Sequence, residues 1–305
     1  MHAGDLLIKA SDDSGSIACV GLDPRPELIP KKIVATAVVE HHDPRHQVAF
    51  AFETYLKSIL DAVVGHCAAV KIQAACYEAY GSLGWQVLER VAMHAHDLDI
   101  PVIIDAKRSD IGSTAVHYRQ GLLTSAPSFG AAPLPGLNAD WLTANPYLGG
   151  DSIEPLLGDP VEGKGIFVLV RTSNQGAEDF QDQLVDDVSL STVVARKVHE
   201  WGQQRRGVSG FSDLGAVIGA TWPAQAKELR ALLPHTLILV PGFGAQGADA
   251  SQAVAACTNR GDGIIVNSSR AILGAWRSQA DTVDPIEAAR NALDTMNQQL
   301  NGALP

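Results

Sequence analysis

Short apolar runs recur along the chain, and each of them ends in polar or glycine-containing residues. The runs are rich in Val, Ile and Leu, and they are continuously apolar rather than alternating, which is typical of parallel strands buried on both faces. Eight such runs predict strands, at residues 17–22, 68–72, 102–104, 141–144, 166–170, 216–218, 237–240 and 264–266.

Longer stretches between these runs carry apolar residues at three- and four-residue steps, the spacing of an amphipathic helix. The clearest of them predict helices at residues 52–64, 83–96 and 185–201. Eight strands that alternate with helices match the element count of a (β/α)8 barrel. A doubly wound open sheet fits this pattern nearly as well, so the residues at the strand ends have to decide between the two.

Three segments interrupt the alternation without dividing the chain. Residues 36–47 include the polar, His-rich stretch 41–46, residues 124–138 are rich in Pro, Gly and Ala, and residues 203–213 carry two arginines and several glycines. None of them separates two halves with independent cores. We therefore expect residues 1–305 to form a single (β/α)8 TIM-barrel domain of the α/β class, with these segments as loop insertions.

The composition narrows the possible partners. The chain has 305 residues, 46% of them hydrophobic, and its net charge of −11 comes from 23 basic and 34 acidic residues. Because nucleic-acid binders rely on a basic surplus, this balance predicts no nucleic-acid partner, although a small phosphorylated substrate stays possible.

Compartment signals are sparse. No apolar run approaches the roughly 20 residues of a membrane helix, and the first residues lack the pattern of a signal peptide. The four cysteines form no CxxC pair, which favours reduced, buried thiols. We expect a cytoplasmic protein without membrane contact.

The densest charged cluster follows the third predicted strand. Asp105 and Lys107 are two residues apart, so in a strand they project to the same face, which in a barrel is the interior mouth where active sites are built. Asp110 lies beyond them on the loop. A solvated loop with an incidental ion pair would also fit this motif taken alone.

A second lysine favours an active site. Lys71 sits inside the second predicted strand between Val70 and Ile72, where an unpaired ammonium group is costly. In a barrel its strand neighbours the one that carries Asp105 and Lys107, so alternating charges would offset one another. The first strand adds the carboxylate of Asp23 at the same rim.

A phosphate site is predicted at the ends of the seventh and eighth strands. The seventh strand runs into residues 241–247 and the eighth into residues 267–270, which we call the phosphate loops. Loops after strands seven and eight hold phosphate in many barrels of this kind, through backbone N–H groups and a helix N-terminus. Arg270 would add a charge-assisted contact.

Two other signals are weighed and rejected. Residues 242–247 spell GxGxxG, but Asp262, about 20 residues later, precedes its strand instead of ending it, so it could not reach the ribose of a dinucleotide. His94 and His96 are two apart, a spacing that points them to different faces of a helix. We therefore predict no cofactor and no metal site.

Taken in order, these motifs resemble the orotidine 5'-phosphate decarboxylase family, specifically its bacterial type 2 subfamily. The signature DAKRSDIGST at residues 105–114 is close to the active-site strand and loop of that subfamily. Ser109 stands where a glycine is expected, and a small residue still fits there. Supporting motifs span most of the chain: GLDPR at residues 21–25, RTSN at 171–174, GATWP at 219–223, VPGFGAQG at 240–247 and VNSSR at 266–270.

The resemblance implies a reaction and a catalytic tetrad. The family converts orotidine 5'-monophosphate to uridine 5'-monophosphate, the last step of de novo pyrimidine synthesis, without a cofactor. Lys71, Asp105, Lys107 and Asp110 match the alternating charged tetrad. Lys107 would protonate C6 of the pyrimidine, Asp105 would sit against the departing carboxylate, and Asp110 would reach into the neighbouring subunit's site.

The resemblance also implies which residues bind the substrate. It further implies a homodimer with shared active sites. Asp23 and Thr114 match ribose-contacting positions, Thr114 again from across the interface, and Ser173 matches the residue that hydrogen-bonds the pyrimidine. The phosphate grip is matched by three residues of the phosphate loops: Gln246, Ser269 and Arg270.

Two alternatives remain open at this point. A related barrel enzyme could act on a sugar phosphate, and the better-known sugar-acid decarboxylase of this kind uses Mg²⁺ to stabilise an enediolate. Ser173, Gln246 and the second lysine, Lys71, favour the pyrimidine nucleotide instead. A non-catalytic, regulatory phosphate-binding barrel would be expected to have a broken tetrad, whereas all four charged positions are present.

Overall fold

Eight parallel strands close into a barrel in the computed structural model of the chain, which describes residues 1–130, 132–244, 247–280 and 283–305. Each strand pairs with its neighbours in chain order, and the first pairs with the last. The predicted (β/α)8 fold is confirmed, and the open sheet is excluded. The barrel strands are β1 Ala18–Gly21, β2 Ala69–Gln73, β3 Val102–Arg108, β4 Trp141–Ala144, β5 Gly165–Arg171, β6 Leu214–Ile218, β7 Ile238–Val240 and β8 Ile264–Ser268.

Helices surround the barrel, and most of them connect one strand to the next. The α-helices of the described residues are α1 Ala3–Ser14, α2 Lys31–Glu40, α3 Pro44–Val63, α4 Ala75–Glu78, α5 Gly81–Asp97, α6 Gly112–Leu122, α7 Gly150–Leu157, α8 Leu190–Gly202, α9 Pro223–Leu232, α10 Ala250–Ala253, α11 Arg270–Leu273 and α12 Pro285–Ala303. Short 3₁₀ helices lie at Pro26–Leu28, Pro146–Leu148, Pro160–Glu162, Gln175–Asp179, Val254–Ala256 and Ala275–Ser278. Across the part of the chain that the structure describes, no helix combines the length and apolar character needed to cross a membrane.

All eight predicted strands are present, and the third is longer than predicted. The apolar run ends at residue 104, but β3 continues to Arg108, so the charged residues belong to the strand. Pairing with β2 and β4 supports this charged end, because Gln73 lies opposite Asp105 and Ala144 opposite Arg108.

Two predictions around the helices are wrong. The segment 36–47, expected as a loop insertion, is mostly helical, because α2 continues to Glu40 and α3 begins at Pro44. The carboxylate of Asp43 accepts a hydrogen bond from the backbone N–H of Arg45, and Pro44 occupies the first turn, where its missing N–H costs nothing. Helix α3 therefore starts eight residues before the predicted helix 52–64.

The predicted helix 185–201 also begins too early. Leu184–Val185 and Val188–Ser189 form a hairpin instead, and Asp186 and Asp187 at its tip both have positive φ, as a primed two-residue turn requires. Helix α8 follows, with the Ser189 hydroxyl accepting from the backbone N–H of Thr192. The insertion 124–138 forms a second hairpin, between Ser125–Ala126 and Leu134–Pro135.

The barrel interior is packed below the strand ends. Trp141 and Phe167 stack there with ring centroids 4.3 Å apart, and a side chain at Gly165 would collide with the indole. Helix α1 closes the amino-terminal end through the buried residues Ala3 and Leu7. The larger apolar layer lies between the strands and the outer helices. This packing leaves the carboxyl ends of the strands as the free mouth of the barrel.

Candidate active site

Three charged side chains from β2 and β3, Lys71, Asp105 and Lys107, meet at the mouth, and we call them the charged triad. The Nζ of Lys71 lies 3.1 Å from one carboxylate oxygen of Asp105, and the Nζ of Lys107 lies 2.6 Å from the other. Asp23, at the end of β1, lies 3.6 Å from the Nζ of Lys71. The predicted juxtaposition of the two lysines around Asp105 is therefore confirmed.

Two uncharged residues complete the surroundings of Asp105. The Gln73 side-chain amide donates to Oδ2 at 3.0 Å, and the Thr143 hydroxyl donates to Oδ1 at 2.9 Å. With the two lysines, the carboxylate thus accepts four hydrogen bonds, two on each oxygen. Sequence reasoning missed both residues, although the i, i+2 spacing of Lys71 and Gln73 placed them on the same face of β2.

The backbone of Lys107 is strained. Its φ of 46° lies in the left-handed region, which costs a residue other than glycine about 1–3 kcal/mol. The register of β3 against β4 shifts between Ile104 and Arg108, and the N–H of Lys107 donates to the Thr143 hydroxyl at 2.9 Å. Asp105 and Lys107 therefore converge across a bulge and not, as predicted, through regular strand alternation.

Electrostatics keep the buried members of the triad ionised. Burial alone would lower the pKa of Lys71, but the carboxylates of Asp23 and Asp105 outweigh burial and raise it above its usual range. Burial would likewise raise the pKa of Asp105, but Lys71 and Lys107 outweigh it and hold that pKa well below its usual range. Lys71 and Asp105 are therefore both charged at neutral pH.

A cavity of about 430 Å³ opens over the triad. Seven of the ten predicted site residues line it: Asp23, Lys71, Asp105, Lys107, Ser173, Ser269 and Arg270. Eight more lining residues belong to motifs already quoted from the sequence: Arg25, Thr172, Asn174, Pro241, Gly242, Phe243, Asn267 and Ser268. Sequence reasoning missed the remaining six: Gln73, Thr143, Leu169, Gln181, Val217 and Leu239. Charged and uncharged polar groups thus share one mouth, large enough for a small polar ligand.

Two further predicted site residues, Asp110 and Thr114, do not line the cavity. Asp110 follows β3 on the loop, where its carboxylate accepts from the backbone N–H of Ile111. Thr114 is exposed in the first turn of α6. Gln246 lies outside the described residues.

The described residues of the phosphate loops bring backbone and hydroxyl groups to the part of the cavity next to Asp23. Gly242 and Gly244 have φ values of 107° and 69°, which side-chain-bearing residues rarely adopt. The Ser269 hydroxyl donates to Asp23 at 2.6 Å, directly over Gly21, where a Cβ would collide with it. Within the described ranges, Oδ1 of Asn267 and Oγ of Ser268 are buried and have no hydrogen-bond partner.

Ser173 lies on the loop after β5, and contacts of the two preceding residues, Arg171 and Thr172, hold this loop in place. The guanidinium group of Arg171, fully buried, stacks over Trp222 at 4.2 Å and donates to Asp182 at 2.9 Å. The side chain of Gln181 accepts from the backbone N–H of Thr172 and donates to its hydroxyl. These contacts fix a short loop whose cavity-facing side includes Ser173.

His94, His96 and Asp262, which belong to the signals rejected above, do not line this cavity. His94 lies 2.7 Å from Asp61 and His96 lies 3.4 Å from Asp140, so the two histidines have different partners. Asp262 precedes β8, where it accepts from Thr258 and pairs with Arg260. Among the residues with described positions, no group of three or more His, Cys, Asp or Glu is arranged to hold a metal ion.

Fold and site together define a (β/α)8-barrel enzyme with a charged array at the carboxyl ends of its strands. The sequence profile of the orotidine 5'-phosphate decarboxylase / HUMPS family matches residues 17–283. The chain belongs to this family, which confirms the family and the enzyme class predicted from the motifs.

Individual relatives agree over the whole length. The chain is 42% identical over 295 residues to the orotidine 5'-phosphate decarboxylase of Rhodopirellula baltica, with 95% of each chain covered. It is 36% identical over 305 residues to that of Caldicellulosiruptor bescii, covering 100% of this chain and 99% of the relative. The structure of Leishmania donovani OMP decarboxylase superimposes with a TM-score of 0.73 at 31% identity, covering 99% of this chain and 98% of that one.

Proposed function

We propose that the chain decarboxylates orotidine 5'-monophosphate to uridine 5'-monophosphate without a cofactor, with Lys107 protonating C6. The single observation that carries the proposal is the charged triad, which faces a cavity shared with the phosphate loops. We infer the identity of the substrate from the full-length relatives, which are named orotidine 5'-phosphate decarboxylase.

The reaction requires a positively charged group beside C6, the reacting carbon. When the bond between C6 and the carboxylate breaks, CO2 leaves and the electron pair stays on C6. The Lys107 ammonium group lies at the cavity with 46% of its side chain exposed, so it can stabilise that developing charge and then give C6 a proton. Solvent then restores the proton to the lysine.

Asp105 acts on the departing carboxylate and Lys71 acts on Asp105. A carboxylate next to the substrate carboxylate disfavours the bound ground state relative to the transition state, in which the charge moves away onto C6. Asp105 does this only while ionised, and the ammonium group of Lys71, 3.1 Å away and almost fully buried, keeps it so.

The rest of the cavity supplies the grip on substrate. Ser173 would hydrogen-bond the pyrimidine and Asp23 the ribose, while Ser269, Arg270 and Gln246 would hold the phosphate. In the structure the Ser269 hydroxyl is engaged with Asp23, so phosphate binding requires that hydroxyl to turn. Binding energy from the remote phosphate can then be used to order the reacting end.

We also propose a homodimer in which Asp110 and Thr114 complete the partner's site. The position of both residues outside their own chain's cavity supports this arrangement, as does Ile111 between them, a large apolar side chain that is 53% exposed. A cytoplasmic location stays a prediction.

The decisive assay follows the loss of ultraviolet absorbance of orotidine 5'-monophosphate in EDTA. We expect turnover by the wild type, no detectable turnover by Lys107→Ala, and full activity in Lys197→Ala, a lysine exposed on α8 that serves as control. No turnover by the wild type, or turnover only after Mg²⁺ is added, would contradict the proposal and favour the sugar-phosphate alternative.

The shared site has its own test, in which Lys107→Ala and Asp110→Ala proteins are mixed under conditions that exchange subunits. If Asp110 acts across the interface, each mixed dimer regains one intact site, so the mixture recovers about a quarter of wild-type activity. A mixture as inactive as its components places Asp110 in its own chain's site.

A further inference from the structure

Thr143 is the one residue among those described whose side chain hydrogen-bonds both the carboxylate of Asp105 and the backbone of Lys107. It lies on β4 with 1% of its surface exposed. Its single hydroxyl hydrogen is donated to Oδ1 of Asp105, and the same oxygen accepts the N–H of Lys107, both at 2.9 Å. One hydroxyl group therefore links the carboxylate to the residue proposed as proton donor.

This link falls where the strand is irregular. The φ angle of Lys107 lies in the left-handed region, and the register of β3 against β4 shifts between Ile104 and Arg108. A strained conformation persists only when its surroundings over-determine it. The Thr143 hydroxyl provides such a restraint, because it holds the N–H of Lys107 in the direction that brings the side chain back toward Asp105.

We infer that Thr143 is a positioning residue for proton delivery to C6. It touches the cavity, but its hydroxyl is committed to Asp105 and Lys107, so it acts through them. Its loss lets the Lys107 backbone relax from the left-handed region and moves Nζ from its site. A displacement of about 1 Å at a reacting group costs on the order of 10²-fold in rate. The inference rests on the proposed function.

The test compares Thr143→Val with Thr143→Ser. Valine keeps the shape of threonine and removes the hydroxyl, whereas serine keeps the hydroxyl and removes the methyl group. We expect Thr143→Val to lower kcat for orotidine 5'-monophosphate about 10²-fold. KM should change by no more than about threefold, since the loss is confined to the transition state, and Thr143→Ser should retain kcat within the same factor.

A second readout isolates the proton transfer. Exchange of the C6 hydrogen of uridine 5'-monophosphate for deuterium in D2O, followed by NMR, requires the active-site base but no decarboxylation. We expect exchange to slow in Thr143→Val in parallel with kcat and to continue in Thr143→Ser. Should the valine variant not fold, Thr143→Cys keeps the size with a weaker donor and acceptor, and its kcat is expected to lie below that of Thr143→Ser.

Several outcomes overturn the inference. These are a valine variant with wild-type kcat, a serine variant as impaired as valine, a loss confined to KM, or losses that follow the melting temperature across the series. A wild-type chain that does not turn over orotidine 5'-monophosphate overturns the proposed function itself, and this result is separate from any comparison of the variants.

Discussion

The charged triad and the phosphate loops, two parts of the active-site cavity, differ in how far their polar groups have hydrogen-bond partners within the protein. Around the charged triad, the carboxylate of Asp105 has four donors from its own chain, and both lysines point at it. In the phosphate loops, buried polar atoms of Asn267 and Ser268 have no partner within the described ranges, and the backbone relies on glycines with positive φ. One side is complete before a ligand arrives, whereas the other has groups that a ligand can complete. The comparison predicts that removing a buried charge from the first side damages the folded protein and the chemistry together, and that substitutions on the second side damage binding alone.

The largest effect is expected from Asp105→Asn. The substitution removes the charge that compensates the buried Lys71, and breaking a buried ion pair in this way costs about 3–5 kcal/mol of unfolding free energy. Activity should fall below detection as well. Denaturant unfolding and the absorbance assay measure the two effects.

Asp12→Asn, an exposed carboxylate on α1, is the control, and it should shift stability by no more than about 0.5 kcal/mol. Unchanged stability in Asp105→Asn would mean that the triad is not the pre-formed unit described above.

Arg270→Ala should weaken substrate binding and leave stability nearly unchanged. A charge-assisted hydrogen bond contributes about 1.5–3 kcal/mol, so KM for orotidine 5'-monophosphate should rise roughly 10- to 100-fold. Unfolding free energy in the absence of ligand should change little. Steady-state kinetics with the exposed Arg277→Ala as control measures the difference. A destabilised protein with an unchanged KM would move Arg270 to a structural role.

Inorganic phosphate alone should stabilise the wild type. At ten times its dissociation constant, a ligand that binds only the folded state adds about 1.4 kcal/mol. A thermal-shift titration should therefore raise the melting temperature of the wild type and of Asp12→Asn, but not that of Arg270→Ala. An equal shift in Arg270→Ala would separate the stabilising site from the phosphate loops.

The smallest effect concerns pH. The folded pKa of Asp105 lies below its ordinary value of 3.8, so its contribution to stability is present above that value and is lost as pH falls. Between pH 6 and pH 3 the wild type should lose about 1 kcal/mol more than Asp105→Asn, which cannot titrate there. Lys71 has a raised pKa, so its contribution persists below its ordinary value and is lost only at higher pH. Parallel stability profiles in acid would contradict the lowered pKa of Asp105.

The sequence predicts a structural feature well where a single physical requirement determines the residue types. Strands buried on both faces must be continuously apolar, so all eight could be found. Charges embedded in such runs, such as Lys71, have to be paired, and this requirement identified the triad. Helix α3 was predicted to start too late because the polar stretch 41–46 hides the capping signal of Asp43 and Pro44.

Other features depend on contacts that no local pattern carries. Thr143 and Gln73 appear in the sequence as ordinary strand residues, and their role depends on register against β3. The left-handed Lys107 is marked by no glycine. The sites proposed for Asp110 and Thr114 involve a second chain, so neither the local sequence nor the fold of one chain brings them to the cavity.

The hydrogen bond from Ser269 to Asp23 spans the seam at which the barrel closes, since β1 and β8 are the first and last strands of the sheet. These two residues are 246 positions apart in the chain. A chain that ends before residue 264 therefore contains the three residues of the charged triad but lacks β8, the seam and one of the two phosphate loops. Such a truncated product would carry the residues proposed for the reaction without Ser269 and Arg270, which are proposed to hold the phosphate.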